Sequence, residues 1–224
     1  MKIGYEQGIG AWYDLLPFEQ ACGSGSFPGN NVKYTLELKQ LLIKNNIKKV
    51  VDYGCGNLET YKGNINFNDL NIEYVGYEAN KICLRLLKLR YEHFKFLPAK
   101  LNEMPTEDAD GIIIKDVLIH WFFKDVKWFF ANVFERYENV FYYHSTTEQG
   151  YSDTRNKREA FEIKNPKNRI GVHKGDELPK GFSYHDKGLY GYRSVPFNLL
   201  PKDKIVFTKN IMNDSMKTLI HFKR

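Results

Sequence analysis

The chain has 224 residues, of which 42% are apolar and 27% are charged, and its formal net charge is +6. This composition is typical of a globular protein rather than of a disordered or membrane protein, and the length suffices for one sizeable domain. No apolar run approaches the roughly 20 residues that cross a bilayer, and MKIGYEQGIG at the N-terminus lacks the features of a secretion signal. We therefore expect a cytoplasmic protein with no membrane partner.

The three cysteines, Cys22, Cys55 and Cys83, are far apart and form no cluster with histidine at metal-ligand spacing. We expect free thiols and no metal site. The positive charge suits nucleic acid, an anionic surface or a small anionic substrate. Because the charges are mixed along the chain rather than blocked, an ordinary solvated surface also accounts for them.

The chain begins with about thirty residues that mix aromatics with glycine and end in CGSGSFPGNN, a loop pattern. NVKYTLELKQLLIKNN then predicts an amphipathic helix with one apolar face, formed by Tyr34, Leu38, Leu41 and Leu42.

Strands and helices alternate after this helix. The predicted strands are KKVVDYG, IEYVGYEA, HFKFLPA, DGIIIKDVL and NVFYYHST. NKICLRLLKLRYEH is a helix with Ile82, Leu86 and Leu89 at helical intervals. FKDVKWFFANVFERY is a second, whose predicted sheet-facing residues are Val126, Phe129, Phe130 and Val133.

The regularity stops after the fifth strand, and the chain ends in two short strands, KIVFTKN and MKTLIHFKR, around the turn-forming NDS. Alternating strands and helices imply right-handed βαβ units. We predict a single α/β domain over residues 1–224, with a Rossmann-like, doubly wound, seven-stranded and mostly parallel sheet that ends in an antiparallel hairpin. Residues 1–31 would form a lid, and residues 148–203 an insertion after the fifth strand.

The stretch VVDYGCGN, Val50 to Asn57, ends the first strand in a glycine-rich loop, where a doubly wound sheet binds its ligand. No GxxxxGK[ST] string exists, and the third glycine of a GxGxxG dinucleotide motif is replaced by Glu59. Asp52 and Glu59 would also repel a pyrophosphate. The acids instead suit a cationic cofactor, S-adenosylmethionine, which has a sulfonium and no phosphate.

Glu78 ends the second strand 22 residues after Gly56, about the distance at which an acid meets the ribose of an adenosine held by the first loop. VVDYGCGN followed by VGYE resembles the first two motifs of class I S-adenosylmethionine-dependent methyltransferases, and the final hairpin is similar to the edge pair of their sheet. GSGS, KDVLIHW and GYRSVPFNLLP further resemble a bacterial branch with DVLxH and late R…PFxLP elements. Some members of that branch belong to pathways that decorate surface polysaccharides, including pathways of phosphoramidate modification.

The resemblance implies roles for individual residues. Gly54, Gly56 and Asp52 would line the methionine end of the cofactor, and Glu78 would bind its ribose. Residues 115–120, which include Lys115 and Asp116, would lie beside the transferred methyl group. Two residues, Cys55 and Ala79, would pack against the cofactor. Leu58 replaces a glycine common in this family, which leaves the path of the loop open, and no residue is assigned to the adenine.

His120 is the candidate general base, because an imidazole can take a proton near neutral pH, although a structural role for it is equally open. Asp116 would orient His120 or the substrate. The acceptor site would further draw on the N-terminal segment and on residues from the fifth strand onward, namely Trp12, Tyr13, Tyr143, His144 and Arg193. Arg193 is the candidate for gripping an anion, because its planar guanidinium matches phosphate or carboxylate.

These features predict methyl transfer from S-adenosylmethionine, with S-adenosylhomocysteine as product, to a small anionic acceptor of phosphorylated or sugar-nucleotide type, in capsule or other surface-polysaccharide biosynthesis. An RNA-directed methyltransferase and a non-catalytic binding protein of the same fold are the alternatives. The sequence shows no nucleic-acid-binding module, so we do not expect a nucleic-acid partner. It leaves open the oligomeric state and whether oxygen, nitrogen or carbon is methylated.

Overall fold

The structure, a computed structural model, describes residues 18, 26–100, 103–118, 123–147, 195–196, 199–212 and 217–224. The helices in these residues are α1 (Pro28–Lys44), α2 (Lys81–Arg90) and α3 (Phe123–Arg136). The strands are β1 (Lys49–Tyr53), β2 (Glu73–Glu78), β3 (Lys95–Pro98), β4 (Gly111–Lys115), β5 (Asn139–Thr147), β6 (Val195–Pro196), β7 (Ile205–Met212) and β8 (Lys217–Lys223).

Seven strands form one mixed sheet in the order β3-β2-β1-β4-β5-β8-β7. The first five strands are parallel, whereas β8 is antiparallel to β5, and β7 is antiparallel to β8. The predicted doubly wound, mostly parallel sheet with a C-terminal antiparallel pair is confirmed. The strand order reverses between β1 and β4, so a ligand is expected beyond the carboxyl ends of these two strands.

The central strands are apolar on both faces because helices cover both faces of the sheet. In β4, Ile112, Ile113 and Ile114 are all fully buried. Ile113 belongs to a core beneath α1 and α2, whereas Ile112 and Ile114 belong to a core beneath α3. This continuous apolar run is the pattern of a strand covered on both sides.

Helix α1 buries the predicted face, with Tyr34, Leu38, Leu41 and Leu42 at most 5% exposed. Helix α3 likewise buries Val126, Phe129, Phe130 and Val133. These two predicted faces are confirmed.

Helix α2 buries a face that only partly matches the one its apolar spacing indicated. Of the three predicted residues, Leu86 is partly buried against the core beneath α1 and α2, whereas Ile82 and Leu89 are 49% and 64% exposed. The buried residues of this helix are Cys83 and Leu87. The segment KICLRLLKLR has enough leucine to satisfy helical spacing on two adjacent faces. Asn80 sets where the helix begins, because its side-chain Oδ1 caps the backbone N–H of Cys83 at 2.8 Å.

The predicted lid and insertion lie largely outside the described residues. Within the insertion, β6 is a strand that the sequence did not predict, and it pairs parallel to the end of β5. The predicted NDS turn between β7 and β8 also lies outside the described residues.

Candidate functional site

The glycine-rich loop follows β1 at the carboxyl end of the sheet. Gly54 and Gly56 have φ angles of +80° and +58°, in the left-handed region that favours glycine. The backbone N–H groups of Gly54 and Cys55 donate to the carbonyl oxygen of Tyr77 at 2.8 and 2.9 Å. The loop is therefore fixed against the end of β2.

Gly54 also brings the loop against the segment that follows β4. A Cβ atom on Gly54 would lie 2.3 Å from Cγ2 of Val117, a distance that no real contact shows. Any side chain at position 54 would force the loop and the end of β4 apart. The two strand ends that flank the reversal in strand order are thus in direct contact at this glycine.

The loop leads into a 3₁₀ turn, Glu59–Tyr61, and the described residues 54–72 contain no α-helix. A pyrophosphate-binding loop places its anion at the N-terminus of a helix, where unpaired N–H groups and the helix dipole attract negative charge. This loop offers no such terminus, and a buried acid, Glu59, begins the turn instead. The geometry favours a cofactor without phosphate.

Leu58 stands where the methyltransferases that the sequence resembles commonly have a glycine, and the structure shows the path of the loop at this residue. Its φ of 64° is in the left-handed region, so the backbone follows a glycine-like path with a leucine side chain. The side chain is buried in the core beneath α1 and α2, together with that of Cys55. Ala79 packs against the opposite core, beneath α3.

Glu78, at the end of β2, lies beside the loop, and the structure brings these two predicted elements together. Its carboxylate accepts hydrogen bonds from the backbone N–H of Gly56 at 2.9 Å and from that of Asn80 at 2.7 Å. Burial raises the pKa of Glu78, and hydrogen bonds from the backbone N–H groups of Asn80, Gly56 and Ala79 oppose that rise. Contact with a ribose stays a prediction.

Asp52 is 1% exposed, and its carboxylate is bound by phenols. Its Oδ2 accepts hydrogen bonds from the hydroxyls of Tyr61 at 2.8 Å and Tyr74 at 2.7 Å. Burial raises the pKa of Asp52 to about 6, against the lowering effect of the two hydrogen bonds and of the charge on Lys115. This carboxylate supports the loop from the core, and its predicted place at the methionine end is untested.

Asp116 directly follows β4 and is held between two lysines. Its Oδ2 lies 3.1 Å from Nζ of Lys115 and 2.5 Å from Nζ of Lys217. Burial tends to raise the pKa of Asp116, but Lys115, the contact with His144, and Lys217 outweigh burial and hold that pKa well below its usual range. The carboxylate is therefore ionised at neutral pH.

Tyr143 and His144 approach the Asp116 cluster from β5, and both are buried. The Tyr143 ring stacks on Tyr34 with centroids 4.2 Å apart, and the Lys217 ammonium lies 5.3 Å from the Tyr143 centroid. Nδ1 of His144 lies 3.8 Å from Oδ1 of Asp116. Both residues thus border the end of β4, where the resemblance places the methyl group, and their contact with an acceptor stays a prediction.

Four predicted site residues lie outside the described residues, namely Trp12, Tyr13, His120 and Arg193. Their roles stay predictions.

The structure also adds residues that the sequence did not single out. Lys217 enters the cluster because β8 runs antiparallel to β5 and so begins at the carboxyl edge of the parallel strands. Asn57 donates from Nδ2 to the carbonyl oxygen of Phe18 at 2.7 Å, which ties the loop to the N-terminal segment. The antiparallel direction of the last strand was a usable signal for Lys217, whereas nothing in the sequence pointed to the Asn57 contact.

Within the described residues, no three His, Cys, Asp or Glu side chains are grouped as metal ligands would be. Over the same part of the chain, none of the helices combines the length and the apolar character that crossing a membrane requires.

No protein-family model and no curated protein sequence matches the chain. Among solved structures, it is similar to the PH0226 protein of Pyrococcus horikoshii OT3, with a TM-score of 0.60, 16% identity, and coverage of 95% of this chain and 98% of that one. It is also similar to magnesium protoporphyrin IX methyltransferase of Synechocystis PCC 6803 with bound S-adenosylhomocysteine. That match has a TM-score of 0.53 and 11% identity, and it covers 86% of this chain and 84% of that one.

A third similar structure is human N-acetylserotonin methyltransferase in complex with S-adenosylmethionine, with a TM-score of 0.52 and 11% identity. The match covers 92% of this chain and 55% of the human one. At these identities the likeness establishes the fold and not the activity. The chain has the α/β fold of these structures, two of which are methyltransferases solved with S-adenosylmethionine or S-adenosylhomocysteine.

Proposed function

We propose that the protein is a methyltransferase that uses S-adenosylmethionine as its methyl donor. The proposal rests mainly on the hydrogen bond from the backbone N–H of Gly56 to the Glu78 carboxylate. The loop that contains Gly56 is followed by a 3₁₀ turn and not by an α-helix. This arrangement puts negative charge, rather than a phosphate-binding dipole, at the ligand end of β1 and β2. A nucleoside that has a cationic sulfur and no phosphate fits it.

The residues present fit this cofactor. Gly54 and Gly56 permit a close approach of ligand to backbone. Glu78 can accept bonds from ribose hydroxyls in addition to those from the backbone, because a carboxylate has about four acceptor sites. When bound, the cofactor supplies a methyl group activated by its positively charged sulfur. Fold neighbours that contain S-adenosylmethionine or S-adenosylhomocysteine support the assignment.

We place the acceptor at the ends of β4 and β5 and infer that it is a small anion. Lys115 and Lys217 put two ammonium groups at this edge around one carboxylate, Asp116. In the reaction, the acceptor atom bonds to the methyl carbon, the sulfur–carbon bond breaks with its electrons left on sulfur, and a protic acceptor loses its proton. Alignment of the reacting atoms is the main contribution of such a site. His120 is the predicted proton acceptor, and a role in surface-polysaccharide modification stays a prediction.

Calorimetry of the purified chain with S-adenosylmethionine, S-adenosylhomocysteine and NAD tests the cofactor. We expect both sulfur nucleosides to bind and NAD not to bind. Binding of NAD alone, or of none of the three, would contradict the proposal.

A pair of glycine variants distinguishes a specific effect at the proposed cofactor site from the general cost of placing alanine in a left-handed backbone conformation. Gly54→Ala and Gly63→Ala change residues with nearly equal φ angles, +80° and +78°. A Cβ on Gly63 has no atom within 4 Å, whereas one on Gly54 meets Val117. We expect Gly54→Ala to weaken S-adenosylmethionine binding by at least about tenfold, because overpacking shifts the backbone, and Gly63→Ala to leave the affinity unchanged.

The acceptor class is tested by methyl transfer to charge-matched pairs, each a phosphorylated sugar and its unphosphorylated form, with formation of S-adenosylhomocysteine as readout. We expect turnover only with the phosphorylated member. Turnover of the neutral member with equal efficiency would overturn the anionic acceptor and leave the cofactor assignment intact. Cofactor binding without turnover on any acceptor would favour a non-catalytic protein.

A further inference from the structure

The two carboxylate oxygens of Asp116 have different surroundings. Oδ2 is bound by the ammonium groups of Lys115 and Lys217. Oδ1 is shielded from solvent and accepts no hydrogen bond from any described residue. His144 Nδ1 is 3.8 Å from Oδ1, beyond hydrogen-bond distance. A buried acceptor atom without a donor is unfavourable, and more so when it is charged.

The backbone of Asp116 is also unusual. Its φ is 55°, in the left-handed region, although the residue directly continues β4 and its N–H still donates to the carbonyl oxygen of Tyr143 at 3.0 Å. Such strained positions cluster at ligand-binding sites. The extended backbone of β4 therefore ends before Asp116. The residue lies at the carboxyl end of one of the two strands between which the strand order reverses.

We propose that Oδ1 of Asp116 accepts a hydrogen bond from the group that receives the methyl. That group is therefore a hydroxyl or an amine rather than a carbon nucleophile. The inference rests on the proposed methyltransferase function and names the acceptor group at the same site. A hydroxyl or amine supplies the donor that Oδ1 lacks. Because Lys115 and Lys217 both bind Oδ2, Oδ1 is the carboxylate oxygen that is left for the ligand.

Asp116 orients the acceptor and does not remove its proton. The two lysines and His144 outweigh burial and keep its pKa well below the usual range, so the carboxylate is a weak base. The proton of the acceptor must go to another group. The contribution of Asp116 is to hold the lone pair of the acceptor in line with the methyl carbon.

Two cofactor analogues test the position of Oδ1 without a known acceptor. S-adenosylhomocysteine has no group where the methyl would be, whereas sinefungin has an amine there, which donates hydrogen bonds. We expect wild-type protein to bind sinefungin more tightly than S-adenosylhomocysteine. Asp116→Asn should reduce that preference about tenfold, because a charge-assisted bond is lost, and should leave S-adenosylhomocysteine affinity within about twofold.

Asp110→Asn is the matched control. Like Asp116, Asp110 accepts two hydrogen bonds at one oxygen, here from the backbone N–H groups of Lys48 and Lys49, but it precedes β4 and so lies at the opposite end of the parallel strands. Its variant should retain the wild-type preference for sinefungin. If Asp116→Asn also retains it, the inference is wrong and the proposed function stands. If the wild-type protein binds neither analogue, the proposed function itself fails.

A crystal structure of the wild-type protein with sinefungin covers the case in which Asp116→Asn does not fold. We expect the amine nitrogen within about 3 Å of Oδ1 of Asp116. An amine directed away from Asp116 would overturn the inference.

Discussion

The hydroxyl of Tyr74 donates a hydrogen bond of 2.7 Å to Oδ2 of Asp52 from the neighbouring strand. Tyr61 donates to the same oxygen at 2.8 Å from the 3₁₀ turn that follows the glycine-rich loop. The two phenols join the end of β1, the start of β2 and the turn after the loop. They hold a carboxylate that burial has made easier to protonate.

Asp52→Asn should change the pH dependence of stability. The pKa of Asp52 is about 6 in the folded protein against 3.8 as the ordinary value. Because the folded state holds the proton more tightly, the contribution of Asp52 to stability is present below about pH 4 and is lost as pH rises past about 6. The free energy of unfolding of the variant relative to wild type should therefore rise by about 2 kcal/mol between pH 4 and pH 7.

Urea unfolding of both proteins across this pH range measures the difference. Other titrating groups are common to both proteins and cancel. An equal pH dependence in the two proteins would show that the Asp52 carboxylate is not perturbed by its burial.

The sheet was predictable because the continuous apolar sequence of its central strands indicates that they are buried. Ile112, Ile113 and Ile114 are apolar in succession, which only a strand covered on both faces tolerates. Gly56 and Glu78 were also predicted to share a site, because the spacing between them is that of an acid that meets the ribose of an adenosine held by the glycine-rich loop.

The partners of the buried charges were not predicted, because each depends on a chain direction or a turn rather than on a periodic pattern of residues. Tyr61 reaches Asp52 from a three-residue 3₁₀ turn. In the sequence, Lys217 looks like an ordinary surface lysine. It lies next to Asp116 because β8 pairs antiparallel with β5. In α2, leucines at helical spacing on two adjacent faces left the buried face ambiguous, and the structure buries the face of Cys83 and Leu87.

At position 58, a glycine variant should be more stable than an alanine variant, which is the reverse of the usual order of stability. Leu58 is 7% exposed with a φ of 64°. Both Leu58→Ala and Leu58→Gly lose buried apolar contacts, which costs about 2–5 kcal/mol. Only glycine relieves the left-handed backbone, so Leu58→Gly should be more stable than Leu58→Ala by about 1 kcal/mol. Denaturant unfolding of the two variants measures this order.

Leu38 provides the control for this reversal, because it is fully buried inside helix α1. There, Leu38→Ala should be more stable than Leu38→Gly by about 1 kcal/mol, since glycine is the poorer helix former. The same order at positions 38 and 58 would show that Leu58 is not held in the left-handed conformation.

Asn57→Ala should destabilise the protein more than Asn66→Ala. Each asparagine accepts a hydrogen bond of 3.2 Å at Oδ1 from the backbone N–H two residues later. Asn57 is also buried and donates to the carbonyl oxygen of Phe18, whereas Asn66 is exposed. Loss of the buried pair leaves that carbonyl without its donor, so we expect about 1–3 kcal/mol for Asn57→Ala and at most about 0.5 kcal/mol for Asn66→Ala. Chemical denaturation of both variants measures these values, and equal losses would show that the Phe18 contact contributes nothing.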